Sequence, residues 1–378
     1  MKNYKFKIKS CKTIENKFEQ TVHLCRELYN AALQERRDAW KLNRISINYH
    51  IQRAQLPAIK EVREDVEAIY SQILQDVLRR VAKTFDAYFR RLSRGEKAGY
   101  PRFKGRNFFN SFTYVQSGFK LVGDKLHLSK IGSVRLRLSR NIIGTIKTCT
   151  IKREVSGWFV IFTVENEPVR LPKSSKAIGI DVGIENYATY TEGEPTPNPR
   201  FFETLQNKLR VAQRKVSRRK KGSNRRRKAV LRLRKVHQKI KDCRTDFQHQ
   251  LSTKIVNNYG TIAVEDLNIK GLAKGFLAKQ ILDAAWGSFL YKIEYKAENA
   301  GRDFWKVNPN GTSQTCTCGT AVKKKLSVRW HNCPSCGMSA HRDSVSAQVI
   351  LSRSGQRPSG ANVNRLDYAY PENPLPNL

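Results

Sequence analysis

Acidic side chains are what this sequence has too few of. Its 378 residues carry 32 Asp and Glu against 71 Lys and Arg, a formal charge of +39 at pH 7. A chain so unbalanced repels itself, and a polyanion relieves the repulsion, so nucleic acid is the expected partner. An anionic membrane surface, or solubility alone, would answer to the same charge. Long apolar runs are missing as well: none approaches the roughly 18 residues of a membrane-spanning helix, so no membrane is expected. Met1 to Lys9 alternates lysine with apolar residues and lacks the apolar stretch of a secretion signal, which places the expected compartment in the cytoplasm. Cysteine is sparse outside two close pairs. Cys11, Cys25, Cys149 and Cys243 stand singly, which argues against a disulfide framework and reads as small buried hydrophobes. Composition is otherwise globular, with 39% hydrophobic residues, and the length suits two or three domains.

Periodicity divides the chain. Tyr4, Phe6 and Ile8 alternate as in a half-buried strand, and apolar positions from Ile14 to Leu42 and from Val62 to Leu92 recur at three- and four-residue steps as in two amphipathic helices. Short strands fill 112 to 165, which predicts a small β-barrel with the helices inserted into it. Between them, Gly99 to Arg106 interleaves aromatics with cations, and Arg102, Phe103 and Lys104 suit backbone contact and stacking on a base. Pro168 to Ser175 reads as a linker, Phe201-Phe202 as the start of a short strand, and Lys279 to Ala300 as one helix stopped by Gly301. Thr204 to Lys241 holds 17 Lys and Arg and no acid, broken once at Gly222-Ser223-Asn224. Two helices lying along phosphate are expected there, with Arg218, Arg219, Lys220, Lys221, Arg225, Arg226 and Arg227 at the join. The tail from 353 to 378 is rich in Pro, Asn, Ser and Gly and is expected to be disordered.

Two constellations carry chemistry. Asp181 interrupts the apolar run Ala177-Ile178-Gly179-Ile180, where an unpaired carboxylate costs on the order of 2 to 7 kcal/mol. Glu265 ends the apolar strand from Thr261, and Asp343 opens a short helix. If the fold brings the three together, they can hold two Mg²⁺ or Mn²⁺ ions ~3.5 to 4 Å apart, with Asp181 bridging, as phosphodiester hydrolysis requires. A single acid on a strand is otherwise an ordinary hydrogen-bonded residue. Cys316, Cys318, Cys333 and Cys336 form two close pairs suited to a structural Zn²⁺ ribbon. The first pair is one residue short of the usual C-x-x-C knuckle, so His331 could replace one thiolate.

Several ordered segments resemble the TnpB family of transposon-encoded RNA-guided nucleases, relatives of type V CRISPR effectors. They are Gly179-Ile180-Asp181-Val182-Gly183, Ile262 to Asn268, Asp283-Ala284-Ala285-Trp286, Val307-Asn308-Pro309 with Thr312 to Cys316, Tyr100 to Lys104 and Ser217 to Ser223. The resemblance implies an α/β multidomain chain. A wedge β-barrel (1–10 and 95–170) would carry an inserted helical recognition lobe (11–94), followed by an RNase H-like RuvC nuclease domain (171–310 and 338–352) interrupted by the zinc ribbon (311–337). It implies Asp181, Glu265 and Asp343 as catalytic acids, guide RNA from the transposon end and double-stranded DNA as partners, a monomeric ribonucleoprotein and a prokaryotic cytoplasm. Ser71, Gln72, Gln75 and Thr113 fall where the family reads a short motif beside its target. The family usually has Asp-Arg-Asp before an Asn-Ala-Ala helix; here His341-Arg342-Asp343-Ser344-Val345-Ser346-Ala347 stands instead. A nuclease-inactive RNA-guided repressor would be expected to have lost an acid, whereas a transposase using RNase H-like strand transfer would keep all three.

Overall fold

A computed structural model describes residues 1–325 and 327–355, so the expected disordered tail lies almost wholly outside the described residues. The chain forms two compact units, Met1–Glu167 and Pro168 onward.

In the first unit, strand β1 (Lys2–Lys9) is followed by helices α1 (Lys12–Asn43), α2 (Tyr49–Ala54), α3 (Leu56–Val62), α4 (Glu64–Glu67) and α5 (Ser71–Ser93). Six strands complete it: β2 (Ser111–Tyr114), β3 (Phe119–Val122), β4 (Lys125–Leu128), β5 (Gly132–Arg137), β6 (Thr145–Glu154) and β7 (Gly157–Glu165). They form one antiparallel sheet in the order β2-β6-β7-β1-β5-β4-β3. The ladder leaves β2 and β3 as its edges, so the hydrogen bonding is that of an open sheet rather than a closed barrel. Tyr4, Phe6 and Ile8 are buried as their alternation predicts, and Phe18 of α1 meets Phe112 and Trp158 at ring separations of 5.9 and 5.0 Å. Helices and sheet therefore share one core. The helix expected over 62–92 is interrupted. Arg63 leaves helical geometry while its guanidinium grips Asp65 at 2.8 and 2.6 Å, and Tyr70 is extended.

The second unit is a mixed sheet between helices. Its strands are β8 (Ala177–Asp181), β9 (Asn186–Tyr190), β10 (Thr196–Pro197), β11 (Thr261–Glu265) and β12 (Asp303–Val307), ordered β10-β9-β8-β11-β12. β8, β11 and β12 run parallel; β9 and β10 are each antiparallel to their neighbour. Its helices are α6 (Phe201–Ser217), α7 (Asn224–Asn258), α8 (Ile269–Leu272), α9 (Ala278–Ala284), α10 (Trp286–Ala300) and α11 (Arg342–Arg353), and a small hairpin, β13 (Trp330–Asn332) with β14 (Ser339–His341), precedes α11.

Two expectations are corrected here. Phe201 and Phe202 begin α6 rather than a strand: the Asp283 carboxylate accepts from the Phe202 N–H at 2.9 Å and from Arg244 Nη2 at 2.6 Å, pinning the helix start to α7 and α9. Two adjacent aromatics carry no period by which the sequence could choose. The helix expected over 279–300 is broken at Ala285, which is left-handed at φ +51°, although Gly301 does cap its end.

Alternation on the central strands sorts the two faces. Ile178, Ile180, Ile262 and Val264 join the core formed with Phe289 and Ile293 of α10. The opposite face shows Ala177, Gly179 and Ala263, small enough for α11 to lie close against the sheet. A Cβ at Gly179 would come 2.1 Å from the Ala347 carbonyl oxygen and 2.9 Å from the Leu351 nitrogen, both backbone atoms of α11 that cannot swing away. We predict that Gly179→Ala shifts α11 and destabilises the unit by about 1 to 3 kcal/mol. Thermal unfolding should show the loss, and an unchanged melting temperature would mean that the approach is looser than described.

Candidate functional site

β8 and β11 pair in parallel with Ile180 opposite Val264, so Asp181 and Glu265 stand side by side at the carboxyl ends of adjacent strands. Open sheets place their ligands at that edge. Asp343 comes from the first turn of α11, which the small residues of β8 and β11 admit. All three acids are half-buried. Burial is the largest influence raising the Asp181 carboxyl well above its ordinary value; the charges of Asp343 and Glu265 push the same way and Arg342 opposes them. Glu265 is also raised by burial, against the Thr312 hydroxyl, which donates to Glu265 Oε1, and the Arg353 charge.

The fold thus brings two of the expected acids, Glu265 and Asp343, within electrostatic reach of the third, Asp181. Their carboxylate oxygens do not, however, all lie within 4.8 Å of one another. Among the described residues, only the four paired cysteines form a group of three or more His, Cys, Asp or Glu whose ligand atoms all lie within 4.8 Å of one another. Like charges held in a poorly solvated place repel, and a divalent cation is what relieves them. Carboxylate oxygens suit Mg²⁺ or Mn²⁺, so the donor set fits the expected metal.

His341 has a use that the family pattern did not suggest. Its Nδ1 accepts the Asp343 N–H at 3.3 Å, capping α11 as an aspartate would. Burial lowers its pKa, favouring the neutral ring that can accept. Arg342 sets Nε 3.9 Å from Asp343 Oδ1.

The short cysteine spacing does not prevent a cluster. Gly319, at φ +90°, completes a tight turn closed by Gly319 N–H to Cys316 O at 2.9 Å and Cys316 N–H to Thr320 O at 2.8 Å. Sγ of Cys316 lies 3.6 Å from that of Cys336, and Cys318 lies 3.6 Å from Cys333. Tetrahedral Zn–S bonds of ~2.3 Å would set sulfurs roughly 3.8 Å apart, so the cluster is consistent with a zinc ribbon. His331 is not in the group; its Nδ1 is engaged by Lys324.

The expected nucleic-acid residues divide by environment. In the first unit, Asn30 clamps the Lys104 backbone at 2.8 and 3.1 Å, Arg37 lies 5.3 Å over the half-exposed Phe103 ring, and Arg102 and Phe103 border a cavity of about 450 Å³. Three of the four groups expected to read the target-adjacent motif are committed internally. Ser71 accepts from Lys60 at 2.9 Å, Gln72 bonds Gln116 and Ser117, and Thr113 accepts from Arg80 at 2.8 Å. Gln75 is half-buried on the same helix. In the second unit, Arg218, Arg219, Lys220, Lys221, Arg225 and Arg227 are exposed where α6 turns into α7. Arg226 instead staples that turn, donating to Val216 O at 2.7 Å and Arg219 O at 3.0 Å. A groove of about 600 Å³ between the two helices has Val211, Ala212 and Ala229 in its lining and Lys208, Lys215, Arg219, Arg225, Lys228 and Arg232 around them.

Comparison with known proteins identifies three matching families. Residues 161–275 match a family described as probable transposase, 286–350 match the Cas12f1-like TNB domain, and 1–44 match a helix-turn-helix family. That last span is here a strand and a single 32-residue helix. A Streptomyces pristinaespiralis protein named as a candidate RNA-guided DNA endonuclease is 35% identical over 88% of this chain and 84% of its own length. Escherichia coli K12 InsQ, similarly named, is 28% identical over 92% and 91%. The mimivirus TnpB-like protein L770 is 24% identical over 57% of this chain and 45% of its own. Among solved structures, the protein of a Cas12f1-sgRNA-target DNA complex shares the fold with a TM-score of 0.60, at 16% identity, over 90% of this chain and 83% of that one.

Two outcomes test the site. Folded carboxyl pKa values raised above the unfolded ~3.9 to 4.3 mean that stability is fully present below that range and lost as pH rises through the folded values. In zinc-loaded protein without added Mg²⁺ or Mn²⁺ at neutral pH, Asp181→Asn should therefore raise the melting temperature by about 2 to 4 °C for each kcal/mol of repulsion removed, with no gain at pH 4. A neutral-pH melting temperature at or below that of wild type would contradict the charge account. Metal analysis of folded protein should find one zinc per chain, reduced by Cys318→Ser; zinc-free folded protein would sink the ribbon assignment.

Proposed function

The chain belongs to the TnpB family, and from that premise we propose that it is a transposon-associated RNA-guided DNA endonuclease. It would cut double-stranded DNA beside a short motif at one site made by Asp181, Glu265 and Asp343. The observation that supports this reading is that Glu265 of β11 and Asp343 of α11 both lie near enough to Asp181 of β8 for their charges to raise its carboxyl pKa. The sheet order, with one central strand bearing an acid, a parallel neighbour bearing the second and an antiparallel strand on its other side, supports an RNase H-like RuvC core.

Bound Mg²⁺ or Mn²⁺ would supply Lewis-acid stabilisation of the scissile phosphate and a lowered pKa for the attacking water. This chain's residues supply the rest. Asp181, Glu265 and Asp343 would hold the cation through their carboxylate oxygens, and the positive charge of Arg342 would offset part of the negative charge at Asp181. The four-cysteine insert serves as a zinc-stabilised surface for the target strand. The exposed cations of α6 and α7, with Arg102, Phe103 and Lys104, take guide RNA backbone and bases, and base pairing reads sequence while the protein reads shape and the adjacent motif. The first unit is the wedge with its recognition helices, and the junction of α5 with β2, where Ser71, Gln72, Gln75 and Thr113 lie, is where the motif would be read. A monomeric ribonucleoprotein in a prokaryotic cytoplasm accommodates all of this.

An RNA-guided repressor is disfavoured because no acid is missing, and a strand-transfer transposase has no use for a bound guide. Protein purified at low salt should carry RNA from its own transposon end, and its absence would remove the guide from the account. The ribonucleoprotein should linearise matched plasmid in Mg²⁺ but not in EDTA. Glu265→Gln should keep target binding and lose at least about 100-fold in cleavage rate, since outer partners of metal ligands alone are worth 10 to 100-fold.

A further inference from the structure

Glu265 is held by a residue that the catalytic reading does not use. Thr312 is buried, 3% exposed, in the loop that leaves β12 for the cysteine ribbon, and its hydroxyl donates to Glu265 Oε1. The Pro309 carbonyl, 3.0 Å away, is the hydroxyl's other possible acceptor, but an ionised carboxylate draws the proton more strongly than a neutral amide. The bond occupies one oxygen of Glu265 and so limits rotation of the carboxylate about its last torsion.

The loop is itself clamped from two directions. Arg353, in the last turn of α11, donates through Nη1 to the carbonyls of Asn308 at 2.7 Å and Asn310 at 2.9 Å, on either side of Pro309. From the ribbon side, Thr315 Oγ1 donates to Gly311 O at 2.8 Å, and Val322 N–H reaches Gln314 O at 2.8 Å, tying the loop to the turn that gathers Cys316 and Cys318. One helix thus carries an acid in its first turn, Asp343, and in its last turn the guanidinium that fixes the loop orienting another acid. Were Thr312 present only to satisfy a buried oxygen, this bracing would have no consequence for metal binding.

We propose that Thr312, braced by Arg353, is a positioning residue that pre-sets the Glu265 carboxylate for the divalent cation. The inference rests on the metal-site reading above and deepens it. Residues that orient a metal ligand contribute about 10 to 100-fold in affinity when lost.

The test is a Mn²⁺ titration, followed by electron paramagnetic resonance, of full-length zinc-loaded protein freed of nucleic acid in high salt. Thr312→Val should raise the half-saturating Mn²⁺ concentration about tenfold, Thr312→Ser should restore it, and the charge-keeping Arg353→Lys should shift it in the same direction as Thr312→Val. In the guide-RNA complex, the Mg²⁺ concentration for half-maximal cleavage should rise more than the rate at saturating Mg²⁺ falls. A folded Thr312→Val protein binding Mn²⁺ within about twofold of wild type overturns the proposal. If that variant does not fold, unchanged affinity in Arg353→Lys, which keeps the charge near Glu265 but loses the paired hydrogen bonds to Asn308 and Asn310, does so instead. Asp181→Ala separates the two levels. If it binds Mn²⁺ like wild type, the metal-site reading fails; if it loses the ion while Thr312→Val does not weaken it, only the positioning role fails.

Discussion

Electrostatic repulsion among three carboxylates is the constraint on which the second unit depends. The chain brings Glu265 and Asp343 close enough for their charges to oppose that of Asp181, and burial disfavours ionisation of both Asp181 and Glu265. That arrangement weakens the metal-free protein and is sustained by the surrounding architecture. Parallel pairing of β8 with β11 fixes two acids in register, and the small residues Ala177, Gly179 and Ala263 let α11 deliver the third. His341 caps that helix, Arg342 offsets charge, and Thr312 holds Glu265. Strain of this kind belongs to functional sites, where the ligand that repays it is the one the site binds.

Charge of the opposite sign governs the rest of the surface. The acid-free stretch along α6 and α7 keeps nearly all its cations exposed, and the groove between those helices has apolar lining residues beneath basic ones. The second unit therefore holds Glu265 and Asp343 near Asp181 at one strand edge and spreads many exposed cations along α6 and α7. A chain with such a surface is expected to bind nucleic acid with steep salt dependence.

Much of this was legible in the residues. An aspartate in an apolar run and a glutamate ending one are costly enough to announce themselves; Asp181, expected in the middle of a strand, instead ends β8, and its adjacency to Glu265 comes from strand pairing that no local pattern carries. The alternating β1, the two basic helices around Gly222 and the gathering of four thiols despite a shortened spacing were readable for the same reason: each is a local pattern with a local cause. What escaped depends on contacts distant in sequence. Phe201 starts a helix because Asp283, far along the chain, accepts its neighbour's N–H. The helix breaks at Arg63 and Ala285 carry no proline or glycine to mark them. His341 looked like a loss of the family's acid until its ring was seen to cap α11, and Thr312, though inside a recognised segment, has no chemistry of its own until Glu265 meets it. The only signal for Thr312 was a short hydroxyl residue following an Asn-Pro-Asn-Gly turn between a strand and a metal cluster.

The central claim is that the three carboxylates share a divalent cation. Anomalous diffraction from crystals of the full chain soaked in Mn²⁺ tests it most directly. The account predicts a metal peak about 2.1 Å from carboxylate oxygens of Asp181, with Glu265 and Asp343 closing on the same centre. Metal density elsewhere, or none at these acids, would contradict it.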